Sequence, residues 1–236
     1  AFPPVAVIFG AKAAAGYDRA KSIIYFCNKV AERINGDPEV NDRLRVVFVQ
    51  NYNCSYAERI IPAADLSQQI SPAGTEASGT GNMKLMLNGA ITLGTLDGAN
   101  IEIAQQAGQE NEYIFGATAQ EIDAIRETYN PNDIYRASPR IRRAVDALVD
   151  GSICEPDAGL TELHDALLKG ASWHRPDHHF LLLDFAAYQA ARLRAYMEYK
   201  DEPRAFARKC LLNIAGAGPF SADRAVRQYA ENIWRV

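Results

Sequence analysis

Apolar residues recur along the chain with two different periods. Val5-Ala-Val-Ile-Phe9 and Leu44-Arg-Val-Val-Phe-Val49 are short runs rich in β-branched and aromatic residues, the composition of buried strands. Between them Tyr17, Ala20, Ile24, Cys27, Ala31 and Ile34 recur at steps of three and four, which is one face of a helix over about 17–35. Asn35-Gly36 stops that helix, with Pro38 just beyond. Strand, helix and strand at this spacing predict a βαβ unit with parallel strands. The pattern goes on with a short helix at 55–60, a helix at 81–88 stopped by Gly89, and a brief strand Ile91-Thr-Leu93. A helix at 99–106 and a brief strand Tyr113-Ile-Phe115 follow. Residues 1–116 therefore read as a Rossmann-like α/β fold, an open parallel sheet with helices on both faces.

After Gly116 the strand signals vanish. Helical periodicity dominates 118–128, 138–149, 160–169, 180–199, 203–215 and 221–234, with Pro131, Pro139, Pro156, Pro176, Pro203 and Pro219 as separators. No linker-like stretch divides the halves. The expected organisation is one domain, a sheet part over 1–116 and a helical part over 117–236 packed on it.

Composition narrows the class. The 236 residues are 48 % hydrophobic and 23 % charged, a globular balance that excludes a disordered tail or a disulfide mini-protein. The net charge of −4 argues against a dedicated nucleic-acid or anionic-membrane binder, whose affinity would rest on a basic face. Cys27, Cys54, Cys154 and Cys210 are scattered, with no Cys-x-x-Cys pair, and read as reduced cytoplasmic thiols. No apolar run is long enough to span a bilayer, and no signal-peptide pattern opens the chain. The sequence enters without Met directly on a buried strand, so the expectation is a portion of a longer protein.

One segment concentrates the chemistry. Six of the 16 glycines lie between Gly74 and Gly98, and from Ala77 to Leu96 the only charge is Lys84. Glycines among apolar residues mark backbone that must approach something closely. A lysine confined there would be dehydrated, which favours the neutral amine and a Schiff base with a carbonyl compound such as pyridoxal phosphate. Gly79-Thr80-Gly81 lead into the helix carrying Lys84, so free amides at its start could hold a phosphate. Lys84 stands about one turn (~5 Å) beyond. Against this, most lysines in apolar stretches snorkel to water and most glycine clusters are turns. Neither a dinucleotide fingerprint nor a P-loop is present, since Gly10-Ala-Lys-Ala-Ala-Ala-Gly16 is followed by Tyr17.

The run Glu76-Ala-Ser-Gly-Thr-Gly-Asn-Met-Lys84, continuing through Asn88-Gly-Ala-Ile-Thr-Leu-Gly-Thr-Leu-Asp-Gly-Ala-Asn-Ile-Glu-Ile103, closely resembles the signature of the α-glucan phosphorylases of glycogen, starch and maltodextrin. Gly10–Tyr17, Ile61-Pro-Ala-Ala-Asp-Leu-Ser67, Ile114-Phe-Gly116 and Phe220-Ser-Ala-Asp-Arg224 extend the resemblance from end to end. It implies the C-terminal half of a two-lobed GT-B type glycosyltransferase. It also implies pyridoxal 5'-phosphate joined to Lys84 as the catalytic lysine, with Thr80, Gly81 and Tyr52 also contacting the cofactor. Glu76, Ser78 and Gly79 match positions that bind glucose hydroxyls. The implied reaction is attack of inorganic phosphate on a terminal α-1,4-linked glucose, giving glucose 1-phosphate. An N-terminal lobe outside this chain would grip the substrate phosphate, and the full-length enzyme would be a cytoplasmic homodimer. Asn53 stands where some relatives carry Arg. Tyr17 matches a purine-stacking aromatic of some animal relatives, although its spacing reads as helix packing.

Other readings remain beside it. The chain could be a stand-alone interaction domain, or the lobe of a sugar-nucleotide transferase that needs no aldehyde-reactive lysine. His174, His178 and His179 have two members four apart, as metal ligands do, but Pro176 interrupts any continuous helix. No metal site is expected. Arg140, Arg142 and Arg143 read as a solvated helix face.

Overall fold

The computed structural model describes residues 2–236, which form two compact units, each assembled from two stretches of chain. The first unit comprises residues 2–57 and 127–185. Its centre is β1 (Val5–Phe9), α1 (Asp18–Gly36) and β2 (Leu44–Phe48), with β1 and β2 parallel in the register Val5↔Leu44 to Phe9↔Phe48. This is the βαβ unit that the periodicity predicts. Asn35 fastens helix to strand: its amide donates to Val46 O at 2.7 Å and accepts from Val46 N at 3.0 Å. Tyr17 is 57 % exposed at the start of α1, so it does not pack on the helix face as its spacing implied.

After α2 (Cys54–Ile60) and α5 (Ala119–Ile125), the first unit resumes with α6 (Pro131–Ala137), α7 (Pro139–Asp146) and α8 (Ala158–Leu168). The short helices are made by their caps. Asn130 accepts from Asn132 N, Ser138 from Ile141 N and Asp157 from Leu160 N, with Pro131 and Pro139 at first-turn positions that need no N–H. Helix α6 departs from the sequence pattern, because Pro131 does not separate helices but starts one. Ile141, Val145 and Leu182 are the buried centre of this unit, packed by Ile134, Tyr135, Leu167, Leu168 and Phe185. Asp177 caps α9 (Leu181–Asp201) by accepting from Leu181 N and Leu182 N, and the Tyr129 hydroxyl donates to it at 2.7 Å.

The second unit comprises residues 58–126 and 186–236. Its sheet is β3 (Leu66–Gln69), β4 (Ile91–Gly94) and β5 (Tyr113–Ile114), in the order β3-β4-β5 and parallel throughout. β4 is buried at every residue, as a central parallel strand covered on both faces should be. β3 has no strand signature in sequence, since Leu-Ser-Gln-Gln has no apolar run. Its pairing with β4 makes it a strand, and Ser67 is 1 % exposed. Helices α3 (Gly81–Leu87), α4 (Asn100–Ala107), the rest of α9, α10 (Pro203–Gly216) and α11 (Ala222–Tyr229) complete the unit. One core joins Ile91, Leu93, Tyr113 and Phe115 of the sheet region to Ala191, Ala195 and Phe206. A second joins Met86, Ile103, Ala107 and Ala217. The last α-helix ends at Tyr229 and passes into a π-helical turn over Ala230–Trp234. Among the described residues no helix is long and apolar enough to cross a membrane.

Candidate active site

Strands β3 and β4 run parallel, so the segments leaving Gln69 and Gly94 emerge side by side at the carboxyl edge of the sheet. In open α/β sheets this edge is where ligands bind. Gly94 is required there, because a Cβ on it would sit 2.7 Å from Gln69 O. Beyond it, residues 95–100 hold residues 71–82 through a series of hydrogen bonds. The Thr95 hydroxyl donates to Ser71 O at 2.5 Å. The Asp97 carboxylate, 7 % exposed, accepts three successive amides: Gly74 N at 3.0 Å, Thr75 N at 3.1 Å and Glu76 N at 2.6 Å. Ala99 N donates to Ser78 O at 2.8 Å, and the Asn82 amide donates to Asn100 Oδ1 at 2.9 Å. Asn100 in turn donates to Thr95 O at 3.0 Å. Gly98, at φ +49°, lies so close to this segment that a Cβ would stand 2.6 Å from Ser78 O.

The clamp presents the expected site residues outward. Glu76, Ser78, Thr80, Gly81 and Lys84 are exposed, and Gly79 is half-buried at φ +82°. Thr80 is the N-cap of α3, and its side chain makes no capping bond. The Gly81 and Asn82 amides are first-turn donors with no intrahelical acceptor, whereas Met83 N is taken by Asn82 Oδ1 at 3.0 Å. Lys84 N donates to Thr80 O at 3.3 Å, which places Lys84 one turn beyond the helix start.

Among the described residues Lys84 is exposed rather than enclosed by its apolar sequence neighbours. The reason is helical geometry. Asn82 and Met86, four residues apart, share the buried face of α3. Lys84 is two residues from each, roughly 200° round the helix, so its apolar neighbours in sequence are not its neighbours in space.

Tyr52 belongs to the first unit. It is half-buried, and its ring packs so closely on Gly10 that a Cβ there would lie 2.7 Å from Cε2. Its neighbour Asn51 is left-handed at φ +48°. Sequence reasoning did not single out Thr95, Asp97 or Asn100. The available signal was an aspartate between Leu96 and Gly98, directly after a buried strand.

His174 is committed elsewhere. His174 is within 2.9 Å of an Arg19 nitrogen through Nε2 and 2.7 Å of Arg175 O through Nδ1, so both ring nitrogens are engaged. Arg19 also pairs with Glu162 and lies over the Trp173 ring at 4.7 Å. Among the described residues no group of three or more His, Cys, Asp or Glu is placed to hold a metal ion. Arg140, Arg142 and Arg143 are exposed along α7, and Arg142 donates to Arg136 O at 2.6 Å.

The model of a family described as carbohydrate phosphorylase matches residues 1–236. The brain form of glycogen phosphorylase from Bos taurus is 46 % identical over 237 residues, covering 99 % of this chain and 27 % of that protein. Glycogen phosphorylase from Chlamydia trachomatis is 46 % identical, over 99 % of this chain and 28 % of its own length. The Synechocystis glycogen phosphorylase is 44 % identical, over 99 % and 27 %. The chain thus spans little more than a quarter of the length of the curated relatives it matches. With the family model matching every position, the chain belongs to the carbohydrate phosphorylase family.

Proposed function

We propose that this chain is the cofactor-bearing part of an enzyme that cleaves terminal α-1,4-glucosidic bonds of glycogen or a related glucan with inorganic phosphate. The observation that carries the reading is end-to-end similarity to glycogen phosphorylases, together with an exposed lysine one turn into the helix that follows the clamped loop. In kind, the residues fit pyridoxal 5'-phosphate. Lys84 is an accessible primary amine for its aldehyde, and the helix-start amides near Thr80 and Gly81 suit its phosphate. When bound, the cofactor supplies a phosphate that exchanges a proton with the substrate phosphate. Tyr52 lines the cofactor on this reading. Glu76 accepts from, and Ser78 and Gly79 donate to, the glucose hydroxyls.

The role of this chain is chiefly placement. Asp97 fixes the amides of 74–76, and Gly98 lets Ser78 come close, so Glu76, Ser78 and Gly79 are ordered before substrate arrives. The substrate phosphate is gripped by basic residues of a further lobe, the chain by itself is inactive, and the full-length enzyme is a homodimer. Exposed Val226, Tyr229, Ile233 and Trp234, apolar residues of the last helical segment, support a further lobe there. Four free cysteines accord with a reducing cytoplasm.

The test is chemical. The protein loaded with pyridoxal phosphate is reduced with borohydride, digested and mapped. The expected label is on Lys84, and Lys84→Ala abolishes it. A label on another lysine, or none, refutes the assignment.

A further inference from the structure

Away from the site, three buried polar atoms among the described residues lack hydrogen bonds, and all belong to one cluster: Glu112 Oε1, Thr92 Oγ1 and Asn213 Oδ1. Glu112 is 5 % exposed, and Thr92 and Asn213 are fully buried. The other Glu112 oxygen accepts from Thr92 N at 2.6 Å, and the Asn213 amide nitrogen donates to Lys209 O at 3.1 Å. With its second hydrogen directed at Asn111 O, 3.5 Å away, the nitrogen is engaged, and Asn213 offers an oxygen, which can only accept. An ionised Glu112 Oε1 can also only accept. Orphaned buried acceptors in one pocket of polar atoms are costly, and a single proton converts one of them into a donor.

The surrounding charges do not supply a counterion. From α10, Lys209 faces Glu112, but its ammonium is paired with Glu198 of α9 at 2.8 Å. The Tyr113 hydroxyl of β5 also donates to Glu198, at 2.9 Å. Cys210 of α10, the other titratable group facing Glu112, has its thiol pushed up by burial and stays neutral. From β4 comes only the Thr92 backbone and hydroxyl. Against the lowering effect of the Thr92 amide and the Lys209 charge, burial pushes the Glu112 carboxyl up to about 7.

We propose that Glu112 is a neutral acid in the folded chain below neutral pH, donating from Oε1 to Asn213 Oδ1, and that loss of this proton weakens the joint between β4, β5 and α10. The sign follows from linkage. The folded pKa lies above the unfolded one, so the stabilisation is complete below the unfolded value near 4.3 and is lost as pH rises through about 7. Glutamine reproduces the protonated acid, with an oxygen for Thr92 N and an NH₂ for Asn213.

The test is infrared spectroscopy of the protein with isotope-labelled glutamate, titrated across neutral pH, beside urea unfolding of wild type and Glu112→Gln. Near pH 6, where ordinary glutamates are ionised, a carboxylic-acid band should be present, be half lost near pH 7 and be missing from Glu112→Gln. The wild-type urea midpoint should fall over the same interval while that of the variant stays flat. Absence of the acid band below neutral pH overturns the proposal, as does an unchanged band or pH slope in Glu112→Gln. Should that variant not fold, the wild-type titration decides by itself.

Discussion

The Asp97 clamp makes the sharpest prediction. In Asp97→Ala, three amides at 3.0, 3.1 and 2.6 Å lose one carboxylate. A hydrogen bond to a charged acceptor contributes about 1.5–3 kcal/mol, so a naive sum would reach roughly 4–9 kcal/mol. That overstates the loss, because Gly74, Thr75 and Glu76 are exposed and their amides are rehydrated once released. We expect a cost of about 2–4 kcal/mol, the fully buried limit being out of reach. Asp97→Asn should cost about half as much: its oxygen can keep the Thr75 and Glu76 amides, while its NH₂ faces the Gly74 N–H as donor against donor. Hydrogen exchange at 74–76 is the direct assay, since it reads local opening in a chain of two units where a single global transition is not assured. A 2 kcal/mol loss corresponds to roughly 30-fold faster exchange. Amides 74–76 exchanging at wild-type rates in Asp97→Ala would mean that the loop is held by something else, and the placement argument for Glu76 and Ser78 would fail with it.

Two further substitutions test the same framework. Gly98→Ala should destabilise by about 2–4 kcal/mol, from the left-handed backbone and the collision with Ser78 O. Gly151→Ala is its control: φ is +77° there with nothing within 4 Å of the added carbon, so only the backbone cost of about 1–2 kcal/mol applies, and equal losses of local stability by hydrogen exchange around the two sites would remove the close-approach argument. Leu93→Ala, in the centre of β4 and fully buried against the Phe115–Phe206 core, should cost about 3–5 kcal/mol in urea unfolding, and a loss below about 1 kcal/mol would show that this core is not packed as described.

Local signals were strong enough to be read in one dimension. The spacing from Tyr17 to Ile34 predicts α1, and the apolar runs at 5–9 and 44–49 predict its flanking strands, because a 3.6-residue period and β-branched composition are properties of contiguous residues. The segment from Glu76 to Ile103 carried the family resemblance, which the whole-chain similarity supports. Tertiary contact decided the rest. β3 is a strand because β4 lies beside it, and no property of Leu-Ser-Gln-Gln announces that partner. Lys84 points to water because helix rotation sends Asn82 and Met86 inward, although all three share one apolar stretch of sequence. Asp97 meets the amides of residues 74–76 across more than twenty positions, and Glu112 meets Asn213 across about a hundred. Periodicity records which face a residue shows, whereas the identity of what meets that face is set only when distant segments pack.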